Sequence, residues 1–95
     1  MLTTLKESFG LIYAFCEWEI VNKDGQFQEG GEYCYVQDCW IHPYYARSGV
    51  LKRIIKMIDI HDFMINVKWV YWAKLNQNGK IKMFDRKKLA SKGEL

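Results

Sequence analysis

The chain has 95 residues, 49% of them hydrophobic and 16% aromatic, with a formal net charge of +3. That is enough apolar material for one compact core and too little chain for two, so residues 1–95 are expected to form a single domain. No apolar run reaches the roughly 18 residues a membrane span needs, and residues 1–5 lack the charged-then-apolar layout of a signal peptide, so the expected setting is the cytoplasm, off the membrane.

The charge is unevenly spread. Residues 1–38 carry seven acids and two bases, whereas residues 39–95 carry four acids and twelve bases. A basic second part suits an anionic ligand such as a nucleotide-bearing cofactor or a nucleic acid, and ordinary solvated lysines give the same count. The three cysteines, Cys16, Cys34 and Cys39, form no C-x-x-C pair and sit in apolar, strand-like segments. They read as buried free thiols in a reducing compartment, and pairing them with His42 or His61 matches no common zinc spacing, so no metal is expected.

In chain order, the first strong element spans residues 10–22. Cys16, Trp18 and Ile20 alternate there with Glu17 and Glu19, the period-2 pattern of a strand with one buried face. Asn22-Lys23-Asp24-Gly25 and Glu29-Gly30-Gly31 are turn signals, which leaves residues 26–28 as a short edge segment. Residues 32–42 form the next strand, with Cys34, Val36 and Trp40 expected on one face and Tyr33, Tyr35, Cys39 and Ile41 on the other. Both faces are largely apolar, which places this strand centrally. Pro43 ends it, because proline lacks a ladder donor and restricts His42 before it.

Val50, Leu51, Ile54, Ile55 and Ile58 then recur at helical spacing opposite Lys52, Arg53, Lys56 and Asp59, so an amphipathic helix is expected to end between His61 and Asn66. Residues 67–75 alternate again, and Asn76-Gln77-Asn78-Gly79 supplies a hairpin turn to a last strand over residues 80–84. Asp85 is placed to cap a short basic helix. His42 and His61 read as loop or capping residues.

The most informative unit is the strand, proline stop, basic turn and helix start over residues 33–55. Exposed backbone amides and the helix dipole converge at such a start, which makes it an anion site suited to a pyrophosphate. The segment also resembles motif A of the GNAT superfamily of N-acetyltransferases, in which a strand ending in Pro leads through an aromatic turn to a phosphate loop Q/R-x-x-G-x-G/A and an aliphatic helix. The loop here reads Ala46-Arg47-Ser48-Gly49-Val50-Leu51. Ala46 stands where the family has Gln or Arg, and Leu51 stands where it has a small residue. Arg47, one place along, offers a cation.

The resemblance implies an α/β (α+β) fold with a mixed, mostly antiparallel sheet and one principal amphipathic helix. It implies acetyl-CoA or a related acyl-CoA as cofactor, held by Cys39, Trp40 and Ile41 on the strand edge and by Arg47, Ser48, Gly49, Val50 and Leu51 at the helix start. The strand over residues 39–41 would splay from its neighbour over residues 69–73 so that the pantetheine arm pairs with the opened backbone.

Acetyl transfer to an amine needs a general base, for which Asp38, Glu17 and Glu19 are the candidates, and an acid near the sulfur, for which Tyr71 or Tyr45 would serve. The same carboxylates also suit a solvated or salt-bridged strand face. The family's helices ahead of the second strand are here at most residues 2–9, which leaves an acceptor site open to a large substrate such as a protein or peptide amine, one closed by a second copy in a homodimer, or none.

Two other readings compete. A divergent loop suits a GNAT-fold module that only binds or builds, of the kind found among small phage proteins. Seven bases in residues 74–92, near Trp69, Tyr71 and Trp72, suit a nucleic-acid surface, a reading not favoured because those aromatics alternate as a core strand requires.

Overall fold

The structure is a computed structural model that describes residues 1–74 and 79–92. The elements are β1 (Leu2–Lys6), β2 (Ile12–Val21), β3 (Tyr33–Ile41), α1 (Val50–Asp59), β4 (Trp69–Lys74), β5 (Lys80–Asp85) and α2 (Arg86–Lys92). Single 3-10 turns, Pro43–Tyr45 and Asp62–Met64, flank α1. The five strands lie side by side in chain order. All neighbours are antiparallel except β3 and β4, which are parallel because α1 carries the chain back across the sheet.

The expected α+β architecture, with a mostly antiparallel mixed sheet and one main helix, is the one observed. The alternation in β2 places Ala14, Cys16, Trp18 and Ile20 in the core, where Trp18 is wholly buried. Its indole Nε1 donates to Thr3 Oγ1 at 2.9 Å, which ties β1 to the core. Val50, Ile54 and Ile58 are the buried stripe of α1, and Met64, Val67, Val70 and Leu89 complete the cluster. The N-terminal segment, expected to be helical at most, is instead the edge strand β1. Thr3 and Thr4 favour extended backbone, and pairing with β2 satisfies it.

One register feature corrects the sequence reading of β3. Glu17 pairs with Asp38 and Trp18 with Val36, so Gln37 is an extra residue in a β-bulge. The bulge inverts the alternation beyond it. Cys39 and Ile41 therefore join Cys34 and Val36 on the helix side, opposite Cys16 and Ala14, while Trp40 moves to the far face and stacks on Phe15 with ring centroids 5.9 Å apart. A second correction concerns the thiols: Cys16 and Cys34 are buried, but Cys39 is exposed.

The capping expectations hold. His42 Nδ1 accepts from the Tyr44 amide at 3.1 Å, and His61 Nδ1 accepts from the Phe63 amide at 3.2 Å. Asp85 Oδ1 accepts from the amides of Lys87 and Lys88 at the start of α2. The hairpin of β4 and β5 is present, while the expected turn at Asn76-Gln77-Asn78 lies outside the described residues.

Candidate functional site

β3 and β4 pair only over Tyr33–Trp69, Cys34–Val70 and Tyr35–Tyr71. Beyond the bulge the two strands part, and residues 36–41 have no strand partner on the β4 side, while β4 continues along β5 to Lys74. The parting opens a cleft of about 720 Å³. Its walls are the β3 edge at Val36, Asp38 and Cys39, the inner side of α1 at Leu51, Ile54 and Ile55, and Trp72 with Leu89 opposite. Most of this lining is apolar. The cleft therefore offers a dry wall on one side and a run of backbone hydrogen-bonding groups on the other.

At one end stands the start of α1. Gly49 takes a left-handed conformation, φ 77° and ψ 15°, which turns the chain into the helix. The amides of Val50, Leu51 and Lys52 belong to the first turn and have no intrahelical acceptor, so they face outward with the positive end of the helix dipole. Arg47, Ser48 and Gly49 before them are exposed. Val50 is buried and anchors the turn, whereas Leu51 lines the cleft.

The loop is held by an aromatic cluster. Tyr13 stacks on Tyr45 at 4.5 Å between centroids, Tyr45 donates its hydroxyl to Glu7, and Arg53 Nη2 donates to Tyr13 Oη at 2.8 Å. Tyr45 is thus engaged in fixing the loop.

Of the residues singled out in the sequence, the cleft lining brings together Asp38, Cys39 and Leu51. Trp40 and Ile41 lie on the same open edge, and Arg47, Ser48, Gly49 and Val50 form the helix start beside it. Glu19 and Tyr71 are not among the lining residues. Both lie on the sheet face away from α1, each opposite Tyr35, and Tyr71 stacks on Tyr35 at 5.0 Å. Glu19 Oε2 is 3.7 Å from the Met1 amino group. Burial, reinforced by the neighbouring Tyr35, raises the Tyr71 phenol above its ordinary value. Glu17 and Asp38 face each other across β2 and β3, both exposed.

The sequence reading missed Arg86. Its guanidinium bonds Asp59 Oδ1 at 2.7 Å, the Asp59 carbonyl at 3.1 Å, the Val67 carbonyl at 3.2 Å and the Met64 carbonyl. It joins the end of α1, the following loop and the start of α2, and it lines the cleft. Among seven bases in one stretch, nothing in the sequence separates it from its neighbours.

Two solved structures share this fold. Diaminobutyrate acetyltransferase EctA from Paenibacillus lautus, solved with L-2,4-diaminobutyric acid and coenzyme A, matches with a TM-score of 0.57 at 15% identity, over 72% of this chain and 37% of that one. The loading GNATL domain of CurA from Lyngbya majuscula matches with a TM-score of 0.52 at 12% identity, over 72% of this chain and 41% of that one. The chain has the GNAT fold. It spans about two fifths of the length of these GNAT structures. No family profile matches the chain. A search of curated proteins returned no significant match. Among the described residues no helix is long and apolar enough to cross a membrane.

Proposed function

We propose that the GNAT fold of this chain binds acetyl-CoA or a related acyl-CoA in the cleft between β3 and β4 and transfers the acyl group to an amine. The parting of β3 and β4 beyond Tyr35 and Tyr71 is the observation that carries this reading. It supplies an unpaired strand edge, which a pantetheine arm with its two amides can join as an added strand. The apolar wall suits the methylene and acyl parts. The first-turn amides of α1, with Arg47 beside them, suit the pyrophosphate. Leu51 projects along the apolar wall, so in this reading it serves the arm and not the phosphates.

The bound thioester supplies the activated acyl group. Amides along the open β3 edge would orient its carbonyl and donate to the oxygen as charge develops there. Asp38 is the carboxylate on that edge and would take the proton from the attacking amine, directly or through water, with Glu17 opposite it as its neighbour. Glu19 and Tyr71 share the sheet face of Asp38 and Glu17 but lie toward the paired end of β3, outside the cleft lining, and have no part in this reading. An amine presented by a protein or peptide suits so open a cleft.

The test is calorimetric titration with acetyl-CoA, beside Gly49→Trp as a variant that blocks the helix start and a thermal melt showing that the variant is folded. Binding that the variant loses is the expected result. Absence of binding by the unaltered chain would overturn the reading. Given binding, release of free CoA thiol with an amine present, reduced about 100-fold in Asp38→Asn, would place the base.

A further inference from the structure

Cys16 in β2 and Cys39 in β3 are register partners of an antiparallel pair, so their side chains leave the same face of the sheet side by side. Directly opposed residues have Cα atoms about 4.5–5.5 Å apart. A disulfide spans roughly 4.4–6.8 Å. The bulge at Gln37 creates this pairing, because without it Cys39 would point to the opposite face.

The two thiols differ in kind. Both line the cleft, Cys16 buried at 3% exposure and Cys39 exposed. Donation from the Cys16 S–H lowers the Cys39 thiol below its ordinary value, against burial and the nearby Asp38, and the same contact raises Cys16. Cys34 stands apart: it pairs with Ile20, is fully buried, and burial pushes its thiol up to about 12. One accessible sulfur stabilised as thiolate, with a second protonated thiol directly opposite, is the arrangement of a peroxide-reacting dithiol.

We propose that Cys39 and Cys16 form a dithiol site that reduces hydroperoxides, with Cys39 as the attacking sulfur and Cys16 as the resolving thiol. The Cys39 thiolate attacks the terminal peroxide oxygen, the O–O bond breaks, and the leaving alkoxide or hydroxide takes a proton to become an alcohol or water. Cys39 is then a sulfenic acid. The Cys16 sulfur attacks it, the S–O bond breaks, and the hydroxyl leaves with the Cys16 proton as water, forming the Cys16–Cys39 disulfide. Two electrons pass from the two thiols to the peroxide. The bond closes within one strand pair, so no element has to move. This site does not depend on acyl-CoA binding.

The full chain, fully reduced, is treated with stoichiometric hydrogen peroxide and read by intact mass, free-thiol count and peptide mapping. The proposal expects a loss of about 2 Da, a fall in thiols from three to one, a mapped Cys16–Cys39 cross-link, and reversal by dithiothreitol. Cys39→Ser, at an exposed position, abolishes peroxide consumption. Cys16→Ser leaves Cys39 as a sulfenic acid that dimedone captures. If Cys16→Ser does not fold, the cross-link map of the unaltered chain and Cys39→Ser still decide. Three thiols remaining after treatment, or a cross-link that maps to Cys34, overturns the proposal.

Discussion

Replacing Arg86 by Met keeps the length and volume of its stem while removing the guanidinium. The change deletes the ion pair with Asp59 and the bonds to the carbonyls of Asp59, Met64 and Val67. The side chains of Arg86 and Asp59 are 23% and 30% exposed, so the orphaned groups regain part of their hydration and the full cost of a buried broken pair does not apply. At about 1 kcal/mol for each of three carbonyl bonds, with little added for the screened pair, the loss is about 3 kcal/mol. For a domain of this size each kcal/mol lowers Tm by about 4–8 °C, so the variant should melt about 12–24 °C lower. Urea unfolding followed by tryptophan fluorescence measures it directly. Arg86→Lys, which restores charge without the planar fork, should recover less than half. An Arg86→Met midpoint indistinguishable from the unaltered chain would refute the claim that this residue fastens α1 to α2.

Other substitutions separate backbone from steric effects. A Cβ at Gly31 would meet the Val21 carbonyl oxygen at 2.6 Å, so Gly31→Ala should destabilise by about 1–3 kcal/mol in the same assay. At Gly49 a Cβ meets nothing within 4 Å, and only the left-handed φ opposes it. Gly49→Val should therefore cost about 1–2 kcal/mol and Gly49→Asn less than about 1 kcal/mol, as thermal melts would register. Among the thiols, the Cys39 thiolate is favoured and Cys34 stays protonated up to about 12. Iodoacetamide labelling, followed by mass spectrometry across pH, should modify Cys39 with a midpoint lower than that of an ordinary thiol while sparing Cys34.

The strands and helices were legible because their burial is periodic. Trp18 between Glu17 and Glu19, and Val50, Ile54 and Ile58 at helical spacing, each place one face in the core. The two His caps and Asp85 were legible because their bonds are local. What the sequence hid is set by register and by long-range contacts. Gln37 carries no mark of a bulge, yet it reverses the faces of Cys39, Trp40 and Ile41. Thr3 and Thr4 become strand because β2 offers them an edge. Arg86 matters through carbonyls 19–27 residues away, which no local pattern encodes. The cleft itself is a divergence of two backbones. Its position came from resemblance, and side-chain periodicity gave no sign of it.

The central claim is that the unpaired β3 edge and the first turn of α1 receive one acyl-CoA. Amide hydrogen exchange, measured residue by residue with and without CoA, tests it most directly. Bound CoA should slow exchange at amides within residues 37–41 and 50–52, with little change in β1. Unchanged exchange at saturating CoA, or protection confined to the far face around Tyr35 and Tyr71, would contradict it.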